Sequence, residues 1–328
     1  MANETPYAEL TPDVVLDAVD SLDLETDGRI LALNSYENRV YQLGLEGGAF
    51  VVAKFYRPQR WTDAAILEEH AFALELRDYE IPVVAPLVAD NGATLHEHSG
   101  YRFAIFPRQG GRWPELGQAD ERLWMGRFLG RLHAVGARDR FADRLALSPA
   151  WLGDDAAATI LASEWLPAHL TESYARVTEQ LLERIDQEFA MVGAPRSLRI
   201  HGDCHPGNVL WTDNGPHFVD LDDCMNGPAV QDLWLFLSGS RDERTAQLKD
   251  LLEGYQQFCE FDPLELRLIE TLRTLRMIHY TAWIARRWAD PAFPKAFPWF
   301  ESNKYWEEHV LALKEQLAAL DELPLAVY

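Results

Sequence analysis

The chain has 328 residues, 48% of them hydrophobic and 11% aromatic, which provides apolar material for a large core and excludes a disordered or low-complexity protein. Lys and Arg number 30 against 52 Asp and Glu, a formal net charge of −22, so duplex nucleic acid and anionic membrane are poor partners for the surface as a whole. The three cysteines, Cys204, Cys224 and Cys259, are odd in number and far apart, which suits a reducing compartment better than a disulfide framework. The polar, acidic start has no signal-peptide pattern, and no apolar run nears the roughly 20 residues of a membrane-spanning helix. Together these features predict a soluble, cytoplasmic protein.

Thr11-Pro12-Asp13 reads as a helix cap with proline at the first helical position, followed by Val14, Val15, Ala18 and Val19. The period then changes to that of strands: Ile30–Leu33, Arg39–Leu45 and Ala49–Tyr56, with Glu46-Gly47-Gly48 as a hairpin turn between the last two. Thr62-Asp63 caps a helix predicted to bury Ile66, Leu67, His70, Ala71 and Leu74. Strands are expected at Val83–Val88 and Tyr101–Phe106, and Pro107–Gly111 breaks the pattern, with Gly110 and Gly111 letting the chain turn. Beyond it helical periodicity dominates. Asp120–Val135 carries Trp124, Met125, Phe128, Leu129 and Leu132 on one stripe with Gly136 as the stop. Further helices fall near 171–190, 228–238, 242–259, 263–288 and 303–320, interrupted by a strand-rich island from Leu198 to Leu221. The expected fold is α+β and bilobal: a small antiparallel β-sheet lobe, residues 1–108, and a larger, mainly helical lobe, residues 109–328, packed around a shared cleft.

The island contains the sharpest signal, Ile200-His201-Gly202-Asp203-Cys204-His205-Pro206-Gly207-Asn208-Val209-Leu210. An Asn-Gly turn at Asn214-Gly215 returns the chain along His217-Phe218-Val219 to Asp220-Leu221-Asp222-Asp223. Such a hairpin brings Asn208 beside Asp220. Phosphoryl transfer needs these types: a carboxylate to orient and deprotonate an alcohol, here Asp203, and an Asn and an Asp to hold Mg²⁺ on a nucleotide's phosphates, here Asn208 and Asp220. It also needs a cation for the phosphates and a helix carboxylate to hold that cation. Lys54, in the apolar run Val51–Phe55, supplies the first, because an ammonium there needs a partner. Glu68 and Glu69 both qualify as that partner, and spacing alone does not choose; Glu69 is favoured because Glu69-x-x-x-x-Leu74-x-Leu76 resembles the antibiotic-kinase pattern. The Ile105-Phe106-Pro107 segment is the expected lobe hinge, its backbone meeting adenine.

Asn34-Ser35-Tyr36-Glu37-Asn38-Arg39-Val40, Val52–Pro58, His201–Asn208, Val219–Asp223, Asn226-Gly227-Pro228 and Arg287–Pro294 together resemble the aminoglycoside phosphotransferase and choline kinase superfamily over nearly the whole chain. The resemblance implies a cytoplasmic, monomeric, ATP- and Mg²⁺-dependent kinase with a protein-kinase-like fold, acting on Ser and Thr hydroxyls of proteins in a bacterial stress response, envelope or oxidative. By position it implies Asp203 as proton acceptor, Asn208 and Asp220 as Mg²⁺ ligands and Ser35 as an ATP contact. The sequence departs from ordinary protein kinases twice. Asn34–Asn38 stands where a G-x-G-x-x-G loop would cover the phosphates, and no activation segment separates Asp220 from the next helix. That second feature is typical of small-molecule kinases of the aminoglycoside, choline or homoserine kinase type, the alternative reading.

Weaker readings compete at particular residues. His201 is expected to be structural. His201, Cys204, His205 and Cys224 could form a crowded zinc set, and Cys204 could be a redox-sensitive thiol. Asp232 is either a buried brace of the catalytic loop or a helix-start charge, with little to separate the two. The aromatic segment from Trp283 to Phe300 reads as packing. Asp220-Leu221-Asp222 also resembles the nucleophile motif of haloacid-dehalogenase-type phosphatases, and a non-catalytic nucleotide-binding module is the remaining class.

Overall fold

The computed structural model describes residues 5–193 and 195–327; the polar start at residues 1–4 lies outside them. Thr11 accepts a hydrogen bond from the Val14 N–H and opens α1, Pro12–Asp20. Five antiparallel strands follow in the order β1-β2-β3-β5-β4: β1 Thr26–Ala32, β2 Arg39–Leu45, β3 Phe50–Phe55, β4 His96–His98 and β5 Tyr101–Pro107. Strand alternation divides this sheet's duties. Val51, Ala53, Phe55, Phe103 and Ile105 face one side and bury against Val15, Ala18 and Val19 of α1. Their neighbours Val52, Lys54 and Phe106 therefore face the other side, towards the second lobe.

Between β3 and β4 lies α2, Asp63–Asp78, capped by Thr62. Its buried face is Ala65, Ile66, Glu69, His70, Phe72, Ala73 and Leu76, whereas Leu67 is 46% exposed and Ala71 is exposed. The helix is rotated from the predicted face because a charged residue, Glu69, points inward, which hydrophobic periodicity cannot register. Phe72, Ala73 and Leu76 share one apolar cluster with the large lobe, so α2 is packed by both lobes.

The expected strand at Val83–Val88 does not form. Pro82 and Pro86 lack N–H groups, and the segment makes single ladder contacts instead: Val84 N–H donates to the Phe218 carbonyl at 3.0 Å, and Leu87 N–H to that of Ile105 at 2.7 Å. The edge strand on this side of the sheet is β4, paired on β5.

The large lobe begins with α3, Ala119–Gly136; α4, Asp155–Leu161, and α5, Thr171–Val192, follow. Gly136 is the last helical residue rather than a stop: a Cβ there would meet the Arg199 carbonyl oxygen at 2.1 Å. Gly111 serves close approach too, lying against Leu210, and neither it nor Gly110 adopts the left-handed backbone of a turn glycine. The island forms two small antiparallel ribbons: β6, Leu198–Ile200, with β9, Met225–Gly227, and β7, Val209–Thr212, with β8, Gly215–Phe218. The rest is helical: α6 Val230–Trp234, α7 Arg241–Tyr255, α8 Leu268–Arg287, α9 Ala292–Ala296 and α10 Asn303–Leu320. α3 and α7 build the main core with the ribbons, while α4, α5, α8, α10 and the aromatic segment, including Phe293, Phe297 and Phe300, build a second. Among the described residues no helix is long and apolar enough to cross a membrane.

Candidate active site

Lys54 is 6% exposed, and burial of an isolated ammonium is prohibitive. Its Nζ lies 3.0 Å from Glu69 Oε1, 3.0 Å from Asp222 Oδ1 and 3.3 Å from Asp220 Oδ1. Burial opposes the charge, but Asp222, Glu69 and Asp220 hold the ammonium well above its usual range. The open choice on α2 is thereby resolved. Glu68 turns the other way and accepts backbone N–H bonds from Ala142, Asp143 and Arg144 at 2.6–2.9 Å, so it ties α2 to the large lobe.

The catalytic-type loop joins β6 to β7. Its start is fixed by Asp232 on α6, which is fully buried and accepts from His201 N–H at 2.7 Å and Gly202 N–H at 2.9 Å. His133 Nε2 lies 3.0 Å from the same carboxylate, to which its N–H donates, and its Nδ1 lies 3.0 Å from the Tyr255 hydroxyl. Of the two readings of Asp232, the brace is the one observed. Gly202 has φ +83°, and a Cβ there would strike the Asp223 carbonyl oxygen at 2.2 Å, so only glycine fits. His201 is buried with Nε2 2.9 Å from the Val219 carbonyl, which makes it the expected structural residue.

Asp203 Oδ1 pairs with Arg276 Nη1 of α8 at 2.6 Å, and Oδ2 lies 3.5 Å from His205 Nε2. Burial would raise this carboxyl, but His205 and Arg276 hold it down to about 2. Asn208 Nδ2 donates to the Asp203 carbonyl at 3.0 Å, which commits the amide nitrogen and leaves its oxygen as the available ligand. Val219 N–H donates to the Asn208 carbonyl at 3.0 Å, so the β7–β8 ribbon sets Asp220 near Asn208 as expected. Asp220 itself has left-handed backbone, φ 58°, a conformation aspartate tolerates better than most residues. Its side chain is 54% exposed.

A cleft of about 360 Å³ runs between the lobes. Ser35, Lys54, Glu69, Phe106, Asn208 and Asp220 all line it, with Val40, Val52 and Leu210 as apolar walls. Ser35 Oγ donates to the Asn38 carbonyl at 3.0 Å, closing the loop at Asn34–Asn38 on itself. Ile105, by contrast, is buried in the sheet and its carbonyl is taken by Leu87, so of the expected hinge only Phe106 and Pro107 reach the cleft. The donor set fits a divalent cation of the hard kind: an amide oxygen and a half-exposed carboxylate, while the imidazole that lines the cleft, His70, has both ring nitrogens engaged by Tyr56 and Thr94. Asp203 does not line the cavity but stands beside it, tied to Asn208.

Several weaker expectations fall. No group of three or more His, Cys, Asp or Glu among the described residues is arranged to hold a metal, so the zinc set of His201, Cys204, His205 and Cys224 does not assemble. Cys204 is fully buried, and burial with Asp232 and Asp203 nearby pushes its thiol well above its usual range, the opposite of a reactive cysteine. The phosphatase motif needs a parallel sheet ending at Asp220, whereas β7 and β8 form a two-stranded antiparallel ribbon joined to the segment at Val83 by a single bridge.

Residues that periodicity left unassigned complete the site. Arg60 contacts Asp222 and lies 2.5 Å from Asp223. Arg144 donates to the carbonyls of Cys224, Asp222 and Ala65. Burial opposes the charge on Asp222, but Arg60, Lys54 and Arg144 hold it well below the usual carboxylate range. Asp222 is 3% exposed, and its place inside Val219–Asp223 was the one local sign of it.

Lobes of this shape around a lysine–glutamate pair and an Asp-x-x-x-x-Asn loop define a bilobal, protein-kinase-like phosphotransferase. A model of the phosphotransferase enzyme family matches residues 29–269, and the chain belongs to that family. It is 44% identical to stress response kinase A of Escherichia coli, over 97% of this chain and 96% of that protein. It is also 44% identical to serine/threonine protein kinase RdoA of Salmonella typhimurium, over 98% and 97%. Amicoumacin kinase hAmiN, solved with AMP-PNP, Ca²⁺ and Ami, superposes with TM-score 0.74 at 17% identity, covering 98% of this chain and 96% of that one.

Proposed function

We propose that this chain transfers the γ-phosphoryl group of ATP to serine and threonine hydroxyls of proteins, as a Mg²⁺-dependent, monomeric, cytoplasmic enzyme of a bacterial stress response. The observation that carries the reading is the convergence of Lys54–Glu69, Asn208 and Asp220 on one 360 Å³ cleft, with Asp203 at its edge. The names of the relatives at 44% identity support the protein acceptor.

In this reading residues 1–108 bind the nucleotide and residues 109–328 supply catalysis and acceptor binding. Lys54, held by Glu69, meets the phosphates; Ser35 contacts them from above; Phe106 borders adenine. Asp203 accepts the hydroxyl proton as oxygen bonds to phosphorus and the bond to the ADP oxygen breaks. With Oδ1 held by Arg276, Oδ2 is the oxygen available to the alcohol. Asn208 and Asp220 would hold Mg²⁺, which when bound would draw negative charge off the phosphate oxygens.

One observation favours a second reading. Only residues 221–229 separate Asp220 from α6, which leaves no activation segment to dock a peptide, and hAmiN is named for a small-molecule acceptor. Labelled ATP with Mg²⁺, the purified chain and a cell extract split into protein and small-molecule fractions decides between them. Wild type is expected to label protein and Asp203→Asn and Asp220→Ala to label nothing. Label in the small-molecule fraction alone would move the reading to its alternative, and full activity in either variant would refute the assigned roles.

A further inference from the structure

The loop at Asn34–Asn38 contains no glycine, yet it lines the cleft through Asn34 and Ser35. A loop of this kind must be fixed by something other than its own backbone. Its three consecutive carbonyls at Tyr36, Glu37 and Asn38 are all engaged by two arginines. Arg57 donates to the Glu37 carbonyl at 3.0 Å and the Tyr36 carbonyl at 3.3 Å, and Arg39 to those of Tyr36 and Asn38 at 3.1 and 3.3 Å. Both arginines are anchored on one large-lobe carboxylate, Asp290, just past α8: Arg39 Nη2 at 2.7 Å from Oδ1 and Arg57 Nη2 at 2.6 Å from Oδ2. The Asp290 side chain is 2% exposed and that of Arg57 6%, so this contact is desolvated and little screened.

A second attachment comes from the end of α8. Trp283 Nε1 donates to Glu37 Oε2 at 2.6 Å, and Arg287 Nε to Glu37 Oε1 at 3.0 Å. Tyr36 packs on Phe297, with ring centroids 5.1 Å apart. The contacts of Asp290, Trp283, Arg287 and Phe297 all cross between the lobes, and none touches the reacting groups.

We infer that the segment from Trp283 to Asp290 is a strap that positions the phosphate-side loop: Asp290 and Arg287 act through Arg39, Arg57 and Glu37 to hold Ser35 at the nucleotide's phosphates. This rests on the proposed kinase reading and deepens it. A glycine-rich loop closes on the phosphates by its own flexibility; here the second lobe supplies the closure, so ATP affinity depends on residues well outside the cleft.

Asp290→Asn removes the charge that both arginines share, and Arg287→Gln, on a side chain 25% exposed, is the milder cut that keeps the test alive if the first variant folds poorly. ATP binding is measured by titration with a non-hydrolysable analogue, turnover at saturating ATP, and hydrogen exchange segment by segment. Loss of a desolvated carboxylate contact predicts an ATP Kd and KM raised about tenfold in Asp290→Asn and about threefold in Arg287→Gln, with kcat within about threefold. Exchange is expected to rise at residues 34–39 and to stay unchanged in α3 and α7. A role confined to stability would lower the folded fraction and leave Kd and KM alone; that result, or exchange rising throughout the small lobe, overturns the strap. Failure of the wild type to transfer phosphate would instead overturn the kinase reading, and the binding and exchange arms would still report on the strap.

Discussion

Asp232 offers the most demanding test of how the site is built. Its buried carboxylate receives two backbone N–H bonds from the start of the catalytic-type loop and a third from His133. In Asp232→Asn one oxygen becomes an NH₂ group that faces a donor, because His201 N–H, Gly202 N–H and His133 Nε2–H all point at this position. A hydrogen bond to a charged group contributes about 1.5–3 kcal/mol, and the donor left unpaired adds a desolvation penalty of similar size, so the expected loss is at least about 3 kcal/mol. With an m-value of about 3 kcal/mol/M for a chain of this size, the urea midpoint falls by at least about 1 M at unchanged m. The same change loosens His201 and Gly202, which precede Asp203 directly. A displacement of about 1 Å at a catalytic group lowers turnover about a hundredfold. Urea unfolding and single-turnover transfer from labelled ATP, both at a temperature where each protein is folded, measure the two effects separately. Unchanged midpoint and turnover would refute the brace, and a lower midpoint with full turnover per folded molecule would reduce Asp232 to a stability residue.

Glu69→Gln should lower kcat at least tenfold by loosening Lys54, while Glu68→Gln should cost about 1 kcal/mol of stability and leave kcat near wild type; steady-state kinetics in which the two exchange effects would refute the pairing. Arg276→Ala should reduce kcat about tenfold without weakening ATP binding, and Arg276→Lys should restore part of it, since the arginine touches Asp203 rather than the nucleotide cleft. Equal loss of ATP affinity would contradict that placement. Glu265 is 2% exposed, and burial, outweighing the bond it accepts from Val230 N–H, pushes its carboxyl up to about 7 from 4.5. The folded state therefore holds this proton more tightly than the unfolded chain, so the contribution of Glu265 to stability is full below pH 4.5 and is lost as pH rises towards 7, by on the order of 3 kcal/mol. Urea midpoints at pH 5 and pH 8 should diverge more for wild type than for Glu265→Gln; parallel shifts would sink the argument.

Much of the fold was legible because each element carries its own signal. The Thr11 and Thr62 caps, the alternation along β2 and β3 and the stripe of α3 are local patterns, and most helices and strands formed where they were expected. The misses also have local causes. Prolines at 82 and 86 silenced a β-like run, and Glu69 on the inward side of α2 disguised the true buried face. The lysine in Val51–Phe55 announced a partner because an ammonium cannot stay alone in an apolar strand, yet which of Glu68 and Glu69 it meets depends on helix rotation, which neighbouring residues do not specify.

What the amino-acid order carried alone is the local grouping within one short stretch: Asp203, Asn208 and Asp220 are close in sequence, joined by a tight hairpin, and are of the types that the proposed phosphoryl transfer needs. The assembly around them was decided only in three dimensions. Asp232 reaches His201 across 31 positions, Arg276 reaches Asp203 across 73, and Asp290 reaches Arg39 across 251. No periodicity links such residues. Their pairing is enforced by desolvation, since each charge buried when the lobes pack must find an opposite one, and only the packed lobes define which is near.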